Sequence, residues 1–285
     1  MGIRNLPNEL LLLIAENLSV KDLFHLLSTD HHLSSLLTPR FHALALEDVG
    51  ALTALQWAAA RGHASLAELV ISQGVELNQC DKGQFDKTPL HTAVVNENPN
   101  VIRVLVKHGA QINSTSRFLQ TPLHYAVSGS LAVVRVLIEL GADMTCKDIW
   151  GKTPVHGAAR RPVHYMKPFV NAGFDFTYEG ASGRTILHAA VLEPGVGMVE
   201  YLLCNGGREI INSQDFHGMT PLHLALLQSS VVQNEVIIGL LLENGADTEV
   251  KDDQGHTPMW FNTIYAKGEF TELLLRYKGN RLDCE

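Results

Sequence analysis

Fourteen histidines, four cysteines and a Gly151-Lys152-Thr153 tripeptide are the residues of this chain that could do chemistry. Imidazoles could bind a metal or move protons, thiols could act as nucleophiles, and a Gly-Lys-Thr turn could cradle a phosphate. Spacing argues against each of these. The first glycine of a phosphate loop would have to stand at position 146, which is Cys146, so the nucleotide reading is rejected. His31-His32 has no cysteine or carboxylate at ligand spacing, and a solvated helix face is the simpler reading. There is no His-Glu-x-x-His, Cys-x-x-Cys or Gly-x-Ser-x-Gly. Five histidines, His91, His124, His156, His188 and His223, share the fourth place of one recurring block. Recurrence at a fixed place marks a scaffold residue. No enzyme activity, cofactor or metal is expected.

The block is Thr121-Pro122-Leu123-His124-Tyr125-Ala126-Val127. Its other copies begin at Thr53, Thr88, Thr153, Thr185, Thr220 and Thr257, and successive threonines lie 35, 33, 32, 32, 35 and 37 residues apart. About twenty residues after each comes a glycine mark: Gly74, Gly109, Gly141, Gly173, Gly206, Gly245 and Gly279. Threonine supplies a helix N-cap, and proline fits the first helical position, where no amide is missed. Leu123, Ala126 and Val127 make a short apolar face, a second helix runs from Leu131 to Leu140, and Gly141 stops it. The polar, turn-rich stretch from Ala142 to Lys152 is read as a protruding loop or hairpin.

Thr-Pro-Leu-His-x-Ala, the second apolar helix, Gly-Ala-Asp and Asp-x-x-Gly-x-Thr together resemble the ankyrin repeat, from about Ala51 to Asn280. The resemblance implies an all-α solenoid of about seven helix pairs over residues 49–280, with hairpin fingers and first helices forming a concave protein-binding face. The copies differ. Ala54 and Gln56 replace Pro and His in the first, Ile186 replaces Pro in the fifth, and the last reads Met259-Trp260. Extra residues stand at Gly207 to Ile211, around Gln228 to Glu235 and near Gln84-Phe85. Pro162 and Pro168 predict a weak second helix in the fourth unit.

Residues 1–48 do not follow the period, and 281–285 form a short tail. Leu6, Leu10, Ile14 and Leu18 recur every four residues, while Leu11, Leu12 and Leu13 fill the other sides of the same helix. A helix apolar all round must be covered all round, which three short helices cannot do alone. Either the first repeat or another protein covers it. Leu6-Pro7-x-Glu9-Leu10, Ile14, Leu18, Asp22-Leu23 and Leu26 resemble the F-box. The resemblance implies docking to a Skp-family adaptor of a cullin-RING ubiquitin ligase, with Leu6, Pro7, Leu10, Ile14, Leu18 and Leu23 in the adaptor-binding set. Many members carry a Cys and a Trp in the third helix, where this chain reads Thr29 to Leu37 without either. The alternative is a helical cap on a plain interaction scaffold.

The formal charge of −8 argues against a nucleic-acid binder. The longest apolar run near the start, Leu10 to Ala15, is far short of a membrane span. Four cysteines make no disulfide framework, so a reducing compartment, cytosol or nucleus, is expected. What remains is recognition of a protein substrate. Its candidates are the finger residues Arg117, Phe118, Ile149, Trp150, Lys152, Phe216, His217, Asp253 and His256, extended by Arg160 and Arg161. Aromatic and arginine side chains are the types that anchor interfaces.

Overall fold

A computed structural model describes residues 50–81, 85–192, 195–228 and 231–279. The segment 1–48, with Leu6, Pro7, Leu10, Ile14, Leu18 and Leu23, lies outside them, as does the tail 281–285. Every regular element among the described residues is a helix. The chain divides into two compact units, the first ending at Ala142 and the second starting at Asp143.

The first unit holds three helix pairs: α1 (Gly50–Arg61) with α2 (Ala64–Ser72), α3 (Pro89–Val95) with α4 (Pro99–Lys107), and α5 (Pro122–Ser128) with α6 (Leu131–Glu139). First helices stack on first helices and second on second, α1 on α3 on α5 and α2 on α4 on α6. The interfaces are apolar: Leu90, Ile102, Leu105, Leu123 and Leu137 are at most 1% exposed. Burying each is worth about 1.5 to 3 kcal/mol.

Helix starts and stops follow the local chemistry of the block. Thr88 and Thr121 are extended N-caps, each in a reciprocal capping box with the histidine three residues on, and proline occupies the first turn. At the other end, the Gly141 amide donates to Ile138 O at 3.0 Å and the Ala142 amide to Leu137 O at 2.9 Å. This paired closure needs a left-handed residue, and Gly141 supplies it at φ 86°.

The second unit holds four pairs: α7 (Pro154–Ala158) with α8 (Lys167–Asn171), α9 (Ile186–Val191) with α10 (Val196–Cys204), α11 (Pro221–Leu227) with α12 (Val231–Glu243), and α13 (Pro258–Ile264) with α14 (Thr271–Gly279). The prolines act as expected in the fourth copy. Helix α7 is five residues long, a 3-10 turn spans Val163–Tyr165 after Pro162, and α8 has five residues with Pro168 in its first turn. Met166 and Phe169 are nevertheless fully buried, so side-chain packing holds this unit where helix length does not. The extra residues Gly207–Ile210 form a 3-10 turn that buries Ile210. From Val231 onward the extra chain belongs to the thirteen-residue α12, where Asn234 Nδ2 donates to Gln228 O at 2.7 Å.

The fingers close as tight turns. In three of them an aspartate opens the turn and a glycine sits at its fourth place: Asp148 with Gly151, Asp215 with Gly218, Asp252 with Gly255, the glycines at φ 74°, 71° and 83°. The third copy has Leu119 there, held at φ 55° with its side chain about half exposed. A branched residue in this region costs roughly 1 to 2 kcal/mol, while a glycine loses more chain entropy on folding. Leu119→Gly is therefore expected to stabilise the first unit by about 0.5 to 1 kcal/mol. Thermal unfolding reads this, with Leu119→Ala giving no gain. A Gly variant that melts lower would show that Leu119 contributes packing beyond its exposure.

Candidate functional site

The five block histidines are spent on structure. In the second copy the His91 ring places Nδ1 2.9 Å from Thr88 Oγ1 and Nε2 3.0 Å from Gln120 O. His156, His188 and His223 repeat this, their Nε2 atoms 2.8, 3.0 and 3.3 Å from the carbonyls of Arg184, Met219 and His256. A carbonyl only accepts, so Nε2 carries the proton and Nδ1 receives the threonine hydroxyl. Burial holds His91 and His188 down at about 4, and depresses His156 and His223 as well. The bond to the threonine is local to the block, as a scaffold role for these histidines implies. The bond to the next finger, some thirty residues on, is not visible in a single copy. Among the described residues no group of three or more metal-type ligands converges. Cys146 is also tied down: burial and its 3.4 Å bond to Asp143 Oδ2 push its thiol up to about 11, away from nucleophilic use.

The fingers are joined to each other through the main chain. The Arg117 amide donates to Phe85 O at 3.0 Å in the first unit. In the second, the Phe216 amide donates to Ser182 O at 2.8 Å and the Asp253 amide to His217 O at 3.0 Å. In the three fingers that open on an aspartate, its carboxylate fixes the turn. Asp148 Oδ1 accepts from the amides of Trp150 and Lys152, both at 2.9 Å. Asp215 Oδ1 accepts from His217 and Met219 at 2.9 and 3.1 Å, and its Oδ2 from Arg184 Nε at 3.0 Å. Tips held this way keep their side chains preorganised for a partner.

Arg117 is exposed, and Phe118 is half-buried, its ring 6.1 Å from that of Phe85. Lys87 Nζ sits 5.2 Å from the Phe85 ring and 5.0 Å from that of Tyr125, so a cation and three rings share one corner of the first unit. In the second unit Ile149, Trp150 and Phe216 are 48%, 55% and 72% exposed. Lys152, Arg160, Arg161, His217 and Asp253 are exposed as well. Phe216 is the most open of the aromatic tips, its ring seated over Gly183, where a Cβ would collide with it. His256 does not project. It is half-buried under Trp260, the two rings 3.7 Å apart and nearly parallel, with Nδ1 3.7 Å from Asp252 Oδ2 and no hydrogen-bond partner.

The sequence does not foretell the exposed apolar side chains of the last copy. Trp260 stands where the earlier copies place their buried histidine, and it is 37% exposed; Ile264 and Tyr265 beside it are 54% and 52% exposed. Leu275 stands four residues before the glycine mark. There Leu105, Leu137, Phe169, Leu202 and Leu241 are all fully buried, yet Leu275 is 53% exposed. The signal was Trp260 in the histidine's place, but exposure depends on what stacks next, which one copy does not disclose.

Stacked helix pairs, main-chain-linked fingers and exposed aromatic tips define a repeat-built protein-interaction module. Family models for ankyrin repeats match residues 12–116 and 55–148 (three-copy form) and 182–216 and 217–253 (single repeat), together more than half of the chain. The chain belongs to the ankyrin-repeat family. No F-box model matches it.

Among solved structures, the ankyrin repeat domain of Bcl-3, described as a unique member of the IkappaB protein family, superposes with TM-score 0.65 at 27% identity, over 73% of this chain and 92% of that one. The human ASB11 ankyrin repeat domain gives 0.58 at 28% identity, over 73% and 90%. Among curated proteins, alpha-latrotoxin-Lt1a of Latrodectus tredecimguttatus is 44% identical over 57 residues, 20% of this chain and 4% of the toxin. Putative ankyrin repeat protein FPV031 of fowlpox virus is 38% identical over 85 residues, 29% of this chain and 23% of the viral protein. These matches span a small part of the curated relatives' length, so they speak for the repeat alone.

Proposed function

We propose that the chain is a substrate-recognition subunit of a Skp–cullin–F-box type ubiquitin ligase, working in the cytosol or nucleus. The ankyrin units hold a protein substrate through the finger tips, and residues 1–48 dock on the adaptor. The exposed Ile149, Trp150 and Phe216 on fixed fingers support the substrate half. The observation that carries the ligase half is Leu6-Pro7-Asn8-Glu9-Leu10 followed at helical spacing by Ile14 and Leu18.

A second reading is a non-catalytic scaffold whose leading helices only cap the repeats. It is favoured by the ankyrin family match that begins at residue 12, inside that segment. Co-purification with a Skp-family adaptor decides between them. The full chain should retain the adaptor, and changing Leu6 and Pro7 together to Ala should weaken retention about tenfold or more. A full chain that retains none overturns the ligase reading. Deleting residues 1–48 should then lower the unfolding midpoint strongly, as loss of a cap does.

A further inference from the structure

Between Lys147 and Lys167 the chain places five cations, Lys147, Lys152, Arg160, Arg161 and Lys167, against one carboxylate, Asp148. All five are exposed, while Asp148 is buried and engaged by the amides of Trp150 and Lys152. In a chain of formal charge −8 this is a local reversal of sign. Two of the cations lie over rings. The Arg161 guanidinium is 4.7 Å from the Tyr165 ring centre and donates to Tyr165 Oη at 3.3 Å, and Lys147 Nζ is 5.5 Å from the Tyr178 ring. A cation held on an aromatic face loses less freedom when a partner arrives. Helix α7, five residues and about 7.5 Å long, lies between Lys152 and Arg161 in the chain. Ile149 and Trp150, about half exposed, lie at the finger end of this stretch.

We propose that this surface of the second unit docks an acidic segment of a protein partner, one that carries a large apolar side chain for Ile149 and Trp150. The proposal names the partner class for the finger site and rests on the reading of the fingers as the part that holds protein. Charge complementarity selects the occupant: cations steer carboxylates in and the aromatic tip supplies the anchor. A nucleic acid fits less well. The patch is short, the exposed carboxylates Asp175 and Glu179 follow it in the chain, and the −8 charge opposes a long polyanion. A peptide of a few residues meets only the basic part.

The test is selection of random displayed 12-residue peptides on the full chain, with single-stranded oligouridylate as a second probe. Enriched peptides should be net negative and contain a large apolar residue. A synthetic peptide of that consensus should bind about tenfold more weakly to the Lys152→Glu, Arg161→Glu double variant and about thirtyfold more weakly to Trp150→Ala. Lys152→Glu alone should show part of the loss, which keeps the test open if the double variant fails to fold. Enrichment of neutral or basic peptides, or acidic peptides indifferent to Lys152→Glu, overturns the acidic docking site and leaves the protein-binding reading standing. Retention of oligouridylate with no peptide enriched overturns both.

Discussion

Between pH 7.5 and 5 both units are expected to lose stability, the first by about 2 kcal/mol through His91 and the second by a similar amount through His188. Each imidazole is buried, and burial holds its folded pKa at about 4, against about 6.5 in an unfolded chain. Below 6.5 the unfolded chain therefore takes up a proton that the folded one refuses. Stability falls as pH drops through that window and stops falling, for these groups, near pH 4. Each group could cost up to about 3.4 kcal/mol over the whole span, since one pKa unit is about 1.36 kcal/mol. His156 and His223 are lowered too and act in the same direction. Asp143, held down by its bonds to Thr145, adds a loss only below about pH 4, where an unfolded aspartate protonates. Urea midpoints at pH 7.5 and 5 read the effect. His91→Gln and His188→Gln should lower stability at pH 7.5 yet flatten its dependence on pH. Equal midpoints at the two pH values for the parent chain would sink the account.

The same histidines show how far the sequence could be read. Their recurrence at the fourth place of the block marks them as scaffold, and the Thr-Pro starts, glycine stops and proline-broken fourth pair are local signals for local structure. What sits thirty residues away is a different matter. Gln120 O receives His91 Nε2 as a main-chain atom, which no side-chain pattern betrays. The finger links are also main-chain bonds, Phe216 N to Ser182 O and Asp253 N to His217 O, so residue types at the tips do not predict them. Arg184 and Asp215 do carry a readable pair of charges, but only the stack brings them to 3.0 Å. His256 carries the opposite lesson. Its finger position suggested projection, yet Trp260 in the following helix lies flat over it. Leu119 fills a glycine's place without preventing the turn, because Leu119 N still donates to Ser116 O at 2.9 Å.

Asp215→Ala is expected to cost the second unit about 3 kcal/mol, the scale for breaking a buried charged pair. The carboxylate is fully buried and serves three donors: the amides of His217 and Met219, and Arg184 Nε from the preceding finger. Alanine removes all three acceptors at once. Arg184, whose side chain is 32% exposed, can turn toward water, but the two amides lose the one side-chain oxygen they share. Asp215→Asn keeps an oxygen for the amides and gives up the ionic contact, so it should cost about 1 to 1.5 kcal/mol. The consequence extends to recognition, since Phe216 and His217 hang on this turn and the latter's carbonyl anchors Asp253. Amide exchange should speed up at His217, Met219 and Asp253 in the Ala variant while amides in α4 keep their protection. Chemical unfolding checks the magnitude. An Ala variant within about 0.5 kcal/mol of the parent, the range of ordinary surface substitutions, would mean the finger is held by its main-chain links alone and that Asp215 merely accompanies them.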